Sequence, residues 1–174
     1  VWWTWTAPVS GRVTIQTTGS DFNTTLGVYT GTAVNALTLI AENDEDPDSF
    51  DTSKVQFTTA ASVTYRIAVD GFFGSSGNVS LSIDLVPPPA NDNFASRTVL
   101  TGSPATATGS NIAATKETGE PNHAGNVGGA SVWYSFTATA AGTVVIRTAG
   151  SDFDTTLGVY TGTTVDALTL VAEN

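Results

Sequence analysis

An all-β fold, with antiparallel β-sandwiches in tandem, is what this 174-residue sequence predicts. Three observations carry it. Nearly every segment alternates apolar and polar residues with period two and is rich in β-branched and aromatic side chains. Turn signals separate these segments at short intervals, as in a sandwich of many short strands. And "GSDFNTTLGVYTG", from Gly19 to Gly31, returns as "GSDFDTTLGVYTG" from Gly150 to Gly162.

The first strand is predicted over residues 1–6, "VWWTWT". Alternation sets Val1, Trp3 and Trp5 on one face and Trp2, Thr4 and Thr6 on the other. "PVSG" leads into a strand at 12–18, "TGSDF" into 26–30, and "YTGTAVNA" into 37–42. "TAVNALT" has the spacing for a single helical turn at most. Strands at 54–59, 63–70 and 77–86 follow, the last two separated by "DGFFGSSGN". "LVPPPANDNF", Leu85 to Phe94, then interrupts the pattern, because three consecutive prolines cannot donate ladder hydrogen bonds and favour an extended connection. Further strands are predicted at 98–101, 105–109, 131–138, 143–149, 157–161 and 168–172.

Residues 1–43 align with 132–174 without a gap at an offset of 131 residues, with 29 identities. A fixed period marks a tandem array, and this period is domain-sized. The expected organisation is residues 1–86 as the back part of one repeat unit, 87–93 as a proline-rich linker, and 94–174 as the front part of the next. Two readings of that phase stand: a window cut from a longer repetitive protein, or a protomer whose incomplete halves complete one another between chains.

Composition excludes several functions. The chain has 16 acidic and 6 basic residues, a net charge of −10, and its arginines and lysines are scattered. Such a surface repels phosphate backbones, so nucleic acid is not an expected partner. No apolar run approaches the roughly 20 residues of a membrane helix. Cysteine and methionine are absent, which removes disulfides and thiolate chemistry. Abundant Thr, Ala, Gly, Ser and Val, with little Lys, suit a secreted or surface bacterial β-protein.

The order "ANDNFASRTVLTG…GEPNHAG…SVWYSFTA…GSDFDTTLGVYTG…LTLVAEN", then "KVQFTTAASVTYRIAVDG", resembles the pre-peptidase C-terminal type of β-sandwich domain. The resemblance covers essentially the whole chain. It implies a jelly-roll-like sandwich, non-catalytic and extracellular, of a kind found in arrays in large secreted bacterial proteins. Some relatives bind calcium or matrix polymers.

The candidate sites are few. The single histidine, His123, lies in "GEPNHAGN", and no Gly-x-Ser-x-Gly elbow accompanies it, so catalysis is not expected. His123 with Glu117 and Glu120 offers too little nitrogen or sulfur for zinc. Asp44, Asp46, Asp48 and Asp51 in "ENDEDPDSFD" are the candidate calcium ligands, since a hard cation accepts several carboxylates from an irregular loop; a solvated acidic loop is the other reading. Asp21 with Asp152, and Asn23 with Asp154, fit turn-capping roles. Asn23 and Asn78 match the N-glycan acceptor pattern. Trp2 and Trp133 are the only aromatic pair retained on the polar face of the first strand. They either pack beneath a loop such as "NHAGNVGG" or serve a neighbouring domain or a sugar ring. The expected function is a structural repeat of an extracellular fibre or adhesin stalk that assembles head-to-tail with copies of itself; the alternative is a module binding carbohydrate, such as a polysaccharide, or matrix protein.

Overall fold

The computed structural model describes residues 1–174. It contains eleven β-strands, four three-residue 3₁₀ turns and no α-helix. The chain divides into two compact units, Val1–Pro87 and Pro88–Asn174.

In the first unit, β1 (Trp2–Thr6), β6 (Thr64–Gly71), β3 (Thr24–Thr30) and β4 (Thr38–Asn43) form one antiparallel sheet in the order β1-β6-β3-β4. A second antiparallel sheet runs β5-β2-β7, from β5 (Lys54–Thr59), β2 (Gly11–Gln16) and β7 (Ser82–Val86). Period two decides which side chains go inside. Val13 and Ile15 of β2, Val55 of β5, Leu26 and Val28 of β3, and Tyr65, Ile67 and Val69 of β6 all join one core with Ala7. Both sheets therefore contribute to the same apolar cluster, and each fully buried aliphatic side chain contributes about 1.5–3 kcal/mol. Trp5 stacks on Tyr65 at a centroid distance of 5.7 Å, and Phe57 meets the same ring at 5.1 Å. Of the other two side chains assigned to this face of β1, Trp3 is 36% and Val1 68% exposed, because β1 is the edge strand of its sheet.

The second unit contains β8 (Thr98–Leu100) paired in parallel with β9 (Tyr134–Phe136), and an antiparallel hairpin of β10 (Gly158–Thr161) and β11 (Thr169–Glu173). That hairpin reproduces β3–β4 closely. Both carry a register shift at the same place, Val28/Tyr29 and Val159/Tyr160. Both turn through a short 3₁₀ segment, Val34–Ala36 and Val165–Ala167, entered by a glycine at positive φ, Gly31 at 118° and Gly162 at 143°. The local sequence suffices to specify this geometry.

Two predicted strands are not formed. Residues 105–109, "ATATG", have small side chains, are exposed and have no ladder partner. Residues 143–149 correspond to β2 by the repeat, yet they lie outside any strand. In the first unit β2 is a central strand held by β5 on one side and β7 on the other; no sequence like β5, β6 or β7 occurs within residues 88–174. A lone strand has no ladder to join, so the backbone stays irregular. The absence of a β6-like segment also explains why the strand predicted over 131–138 contracts to Tyr134–Phe136. The side chains record the same fact. Val13 and Ile15 are 0% exposed, whereas Val144 and Ile146, their counterparts, are 56% and 47% exposed.

Candidate interaction site

The first strand and the tyrosine of the repeated motif create an aromatic platform in each unit. In the second, Trp133 lies 6.2 Å from Tyr160 between ring centroids; in the first, Trp2 lies 5.9 Å from Tyr29. Each tyrosine ring lies across a glycine two residues earlier. A Cβ on Gly158 would approach the Tyr160 hydroxyl to 2.6 Å, and one on Gly27 would approach that of Tyr29 to 2.5 Å.

What differs is the cover. Trp133 is 8% exposed. Phe94 packs edge-on against it at 5.1 Å, and His123 does so at 5.5 Å. His123 is held at both ring nitrogens, Nδ1 with the Tyr160 hydroxyl and Nε2 with Glu120 Oε1, each at 2.8 Å. Glu120 Oε2 accepts the Glu117 backbone N–H at 2.9 Å, and Glu117 Oε2 accepts that of Phe94 at 2.5 Å. The Arg97 guanidinium sits 4.5 Å above the Phe94 ring and donates to the Phe94 carbonyl at 2.9 Å. Burial raises the pKa of the Tyr160 hydroxyl, assisted by the negative charges of Glu173 and Glu120. The segment before β9 also seals its backbone. Trp133 N donates to Asn91 O at 2.9 Å, and Thr98 N donates to Trp133 O at 3.0 Å. Asn91 Nδ2 donates to the same carbonyl at 3.1 Å. Asn91 and Asp92, counted with the proline linker in the sequence, are buried here, and Asp92 takes the N–H and hydroxyl of Thr115 at 2.5 and 2.9 Å. The "GEPNHAG" loop is therefore a cap on Trp133. Trp2 has no such cap and is 55% exposed.

The acidic loop is organised differently from a ring of carboxylates. Asp46 is buried at 4% exposure and its Oδ1 accepts the Asp48 N–H at 3.1 Å, while Asp44, Asp48 and Asp51 are exposed. The Lys54 ammonium stands 3.7 Å from Asp46 and 3.5 Å from Asp48, so positive charge already neighbours two of the four. No group of three histidine or acidic side chains is placed to hold a metal ion.

Asp21 binds at long range. It accepts the backbone N–H of Asn78 at 2.6 Å and its side-chain amide at 2.8 Å, which ties the "GSDF" turn to the chain entering β7. These two bonds, the side-chain one first, hold the Asp21 carboxyl below its ordinary 3.8. The folded state thus prefers the ionised form. Its contribution is present above pH 3.8 and is lost as pH falls through the lowered folded value. Acid titration of the unfolding midpoint is expected to show this loss, and Asp21→Asn is expected to flatten that part of the profile; an unchanged profile in the variant removes Asp21 as its source.

The link between His123 and Tyr160, and the Lys54 contact, have no fixed spacing in the sequence. The glycine two residues before each repeated tyrosine was the available signal for the platform. Comparison of the chain with protein-family models, curated proteins and solved structures finds no match.

Proposed function

We propose that this chain is a non-catalytic structural repeat of an extracellular fibre or adhesin stalk, in which β-sandwiches with a 131-residue period are completed by further repeat sequence and propagate head-to-tail. One observation carries the reading: identical residues have opposite environments. Val13 and Ile15 are sealed between β5 and β7, while Val144 and Ile146 stand in solvent with neither neighbour. Native sheets avoid leaving apolar strands and unpaired edges uncovered. A segment with the sequence of residues 44–86 is the natural occupant, since the first unit has it seated on the same residues. A contact between the back of one unit and the front of another is heterologous, and such contacts do not close on themselves. The resemblance to pre-peptidase C-terminal domains is consistent with a secreted, repetitive parent.

Sedimentation and electron microscopy of the 174-residue chain test this. Linear species that lengthen with concentration are expected, together with slowed hydrogen exchange at residues 143–148. A compact, monodisperse monomer at all concentrations, with every strand paired, overturns the proposal.

A further inference from the structure

We infer that the free edge of β1 and the Trp2–Tyr29 platform form a docking surface for a second copy of the segment Asn91–His123. The inference rests on the fibre reading and specifies one joint of it.

Val1 and Val69 exchange both N–H···O bonds, at 2.7 and 3.0 Å, and Ala7 N donates to Val63 O at 2.9 Å. In an antiparallel pair such residues alternate with ones whose N–H and C=O point away. The backbone groups of Trp2, Thr4 and Thr6 therefore face the open edge. By the repeat, Trp2 corresponds to Trp133, whose N–H and C=O are the groups taken by Asn91 and Thr98 in the second unit. There β8 adds in parallel to β9, pairing Thr98 with Tyr134, Val99 with Ser135 and Leu100 with Phe136. Transferred to the first unit, the register is Thr98 opposite Trp3, Val99 opposite Thr4 and Leu100 opposite Trp5. Strand addition of this kind takes affinity from main-chain bonds and specificity from side-chain pockets.

The side chains agree independently. Trp2 and Tyr29 reproduce the Trp133–Tyr160 arrangement to within a few tenths of an ångström in centroid distance. In the second unit Phe94 and His123 pack on Trp133, and His123, held by Glu120, also bonds the Tyr160 hydroxyl. Moreover, Arg66 lies opposite both Thr4 and Tyr29 in the sheet, and its Nη1 is buried without a hydrogen-bond partner. A buried donor without a partner is costly. In the second unit Glu120 reaches the tyrosine hydroxyl through His123, so the incoming segment brings negative charge to the side where this arginine lies.

The test adds a synthetic peptide of residues 88–131 to the full chain and follows amide and indole signals by NMR. Saturation at one equivalent is expected, with shifts at residues 2–6 and Tyr29. Trp2→Ala is expected to weaken binding about tenfold or more, as loss of a central aromatic anchor does. Thr4→Pro is expected to do the same while leaving the β6 ladder intact, since it deletes only an outward N–H on an edge strand. No binding, binding indifferent to both substitutions, or shifts confined to residues 132–136 each overturn the inference. So do the same shifts produced by a β-linked glucose hexasaccharide in place of the peptide. The fibre reading fails separately: a chain that stays monomeric yet binds the peptide loses the filament and keeps this surface, and a chain that polymerises but ignores the peptide does the reverse.

Discussion

Ile15→Ala is expected to destabilise the first unit by about 2–5 kcal/mol, while Ile146→Ala in the same chain changes stability by no more than about 0.5 kcal/mol. The two residues are identical and occupy equivalent positions of the repeat, so the side chain's own propensity cannot separate them. Only burial does. Ile15 is 0% exposed, with β5 and β7 on either side of its strand, and its truncation leaves a cavity in a packed core; Ile146 is 47% exposed and its truncation leaves only water. The two units need not unfold together, so one global midpoint is a poor measure. Hydrogen exchange at the β2 amides across a urea series reads the first unit directly. An Ile146→Ala cost equal to that of Ile15→Ala in dilute, monomeric solution means that residues 143–148 are covered within the chain and need no second copy to bury them. In assembled material the expectation reverses, and Ile146→Ala weakens association.

Period two was enough to read the first unit from sequence. Its seven strands fall where alternation places them, because each has a ladder partner and a core to face, except that the segment predicted over 77–86 pairs with β2 only from Ser82 to Val86. The same reading failed at 143–149 for a physical reason: alternation reports what a strand will bury, and says nothing about whether a partner is present to pair with it. The repeat identified which partner is lacking. Trp2 and Trp133 stand out in the sequence as a pair on the polar face, and alternation alone leaves loop cover and exposed platform both open. The structure holds one of each, Trp133 beneath His123 and Phe94, Trp2 in the open. The Lys54 contacts in the acidic loop and the bond from Asp21 to Asn78 join residues without periodic spacing, and only the folded chain brings them together.

Thr17→Val is expected to cost about 1–3 kcal/mol, and Thr148→Val, its counterpart, close to nothing. Thr17 Oγ1 accepts the Ser53 backbone N–H at 2.8 Å and bonds with Thr24 Oγ1 at 2.7 Å. Ser53 Oγ lies 3.0 Å from the Thr24 hydroxyl and donates to the Thr24 carbonyl at 2.7 Å. Thr17, Thr24 and Ser53 are all 0% exposed, so valine, of nearly the same shape, strands the Ser53 N–H where water does not reach. The node joins the end of β2 to the starts of β3 and β5, which are drawn from both sheets. In the second unit Thr148 and Thr155 retain the hydroxyl bond at 2.7 Å, but Thr148 is exposed and Thr155 only half-buried, and no serine completes the triad. Water satisfies whatever the substitution releases there. Adding Ser53→Ala to Thr17→Val is expected to be clearly non-additive: the two changes remove different bonds, but one bond of each ends on the Thr24 hydroxyl, and members of one network couple. Denaturant midpoints for the two single variants and the double variant decide it. A neutral Thr17→Val, or strict additivity, means the three side chains do not act as a unit. If they do, seating a segment like residues 44–86 on the second unit brings a serine to Thr148 and Thr155, and Thr148→Val then acquires in the assembly a cost it lacks in the free chain.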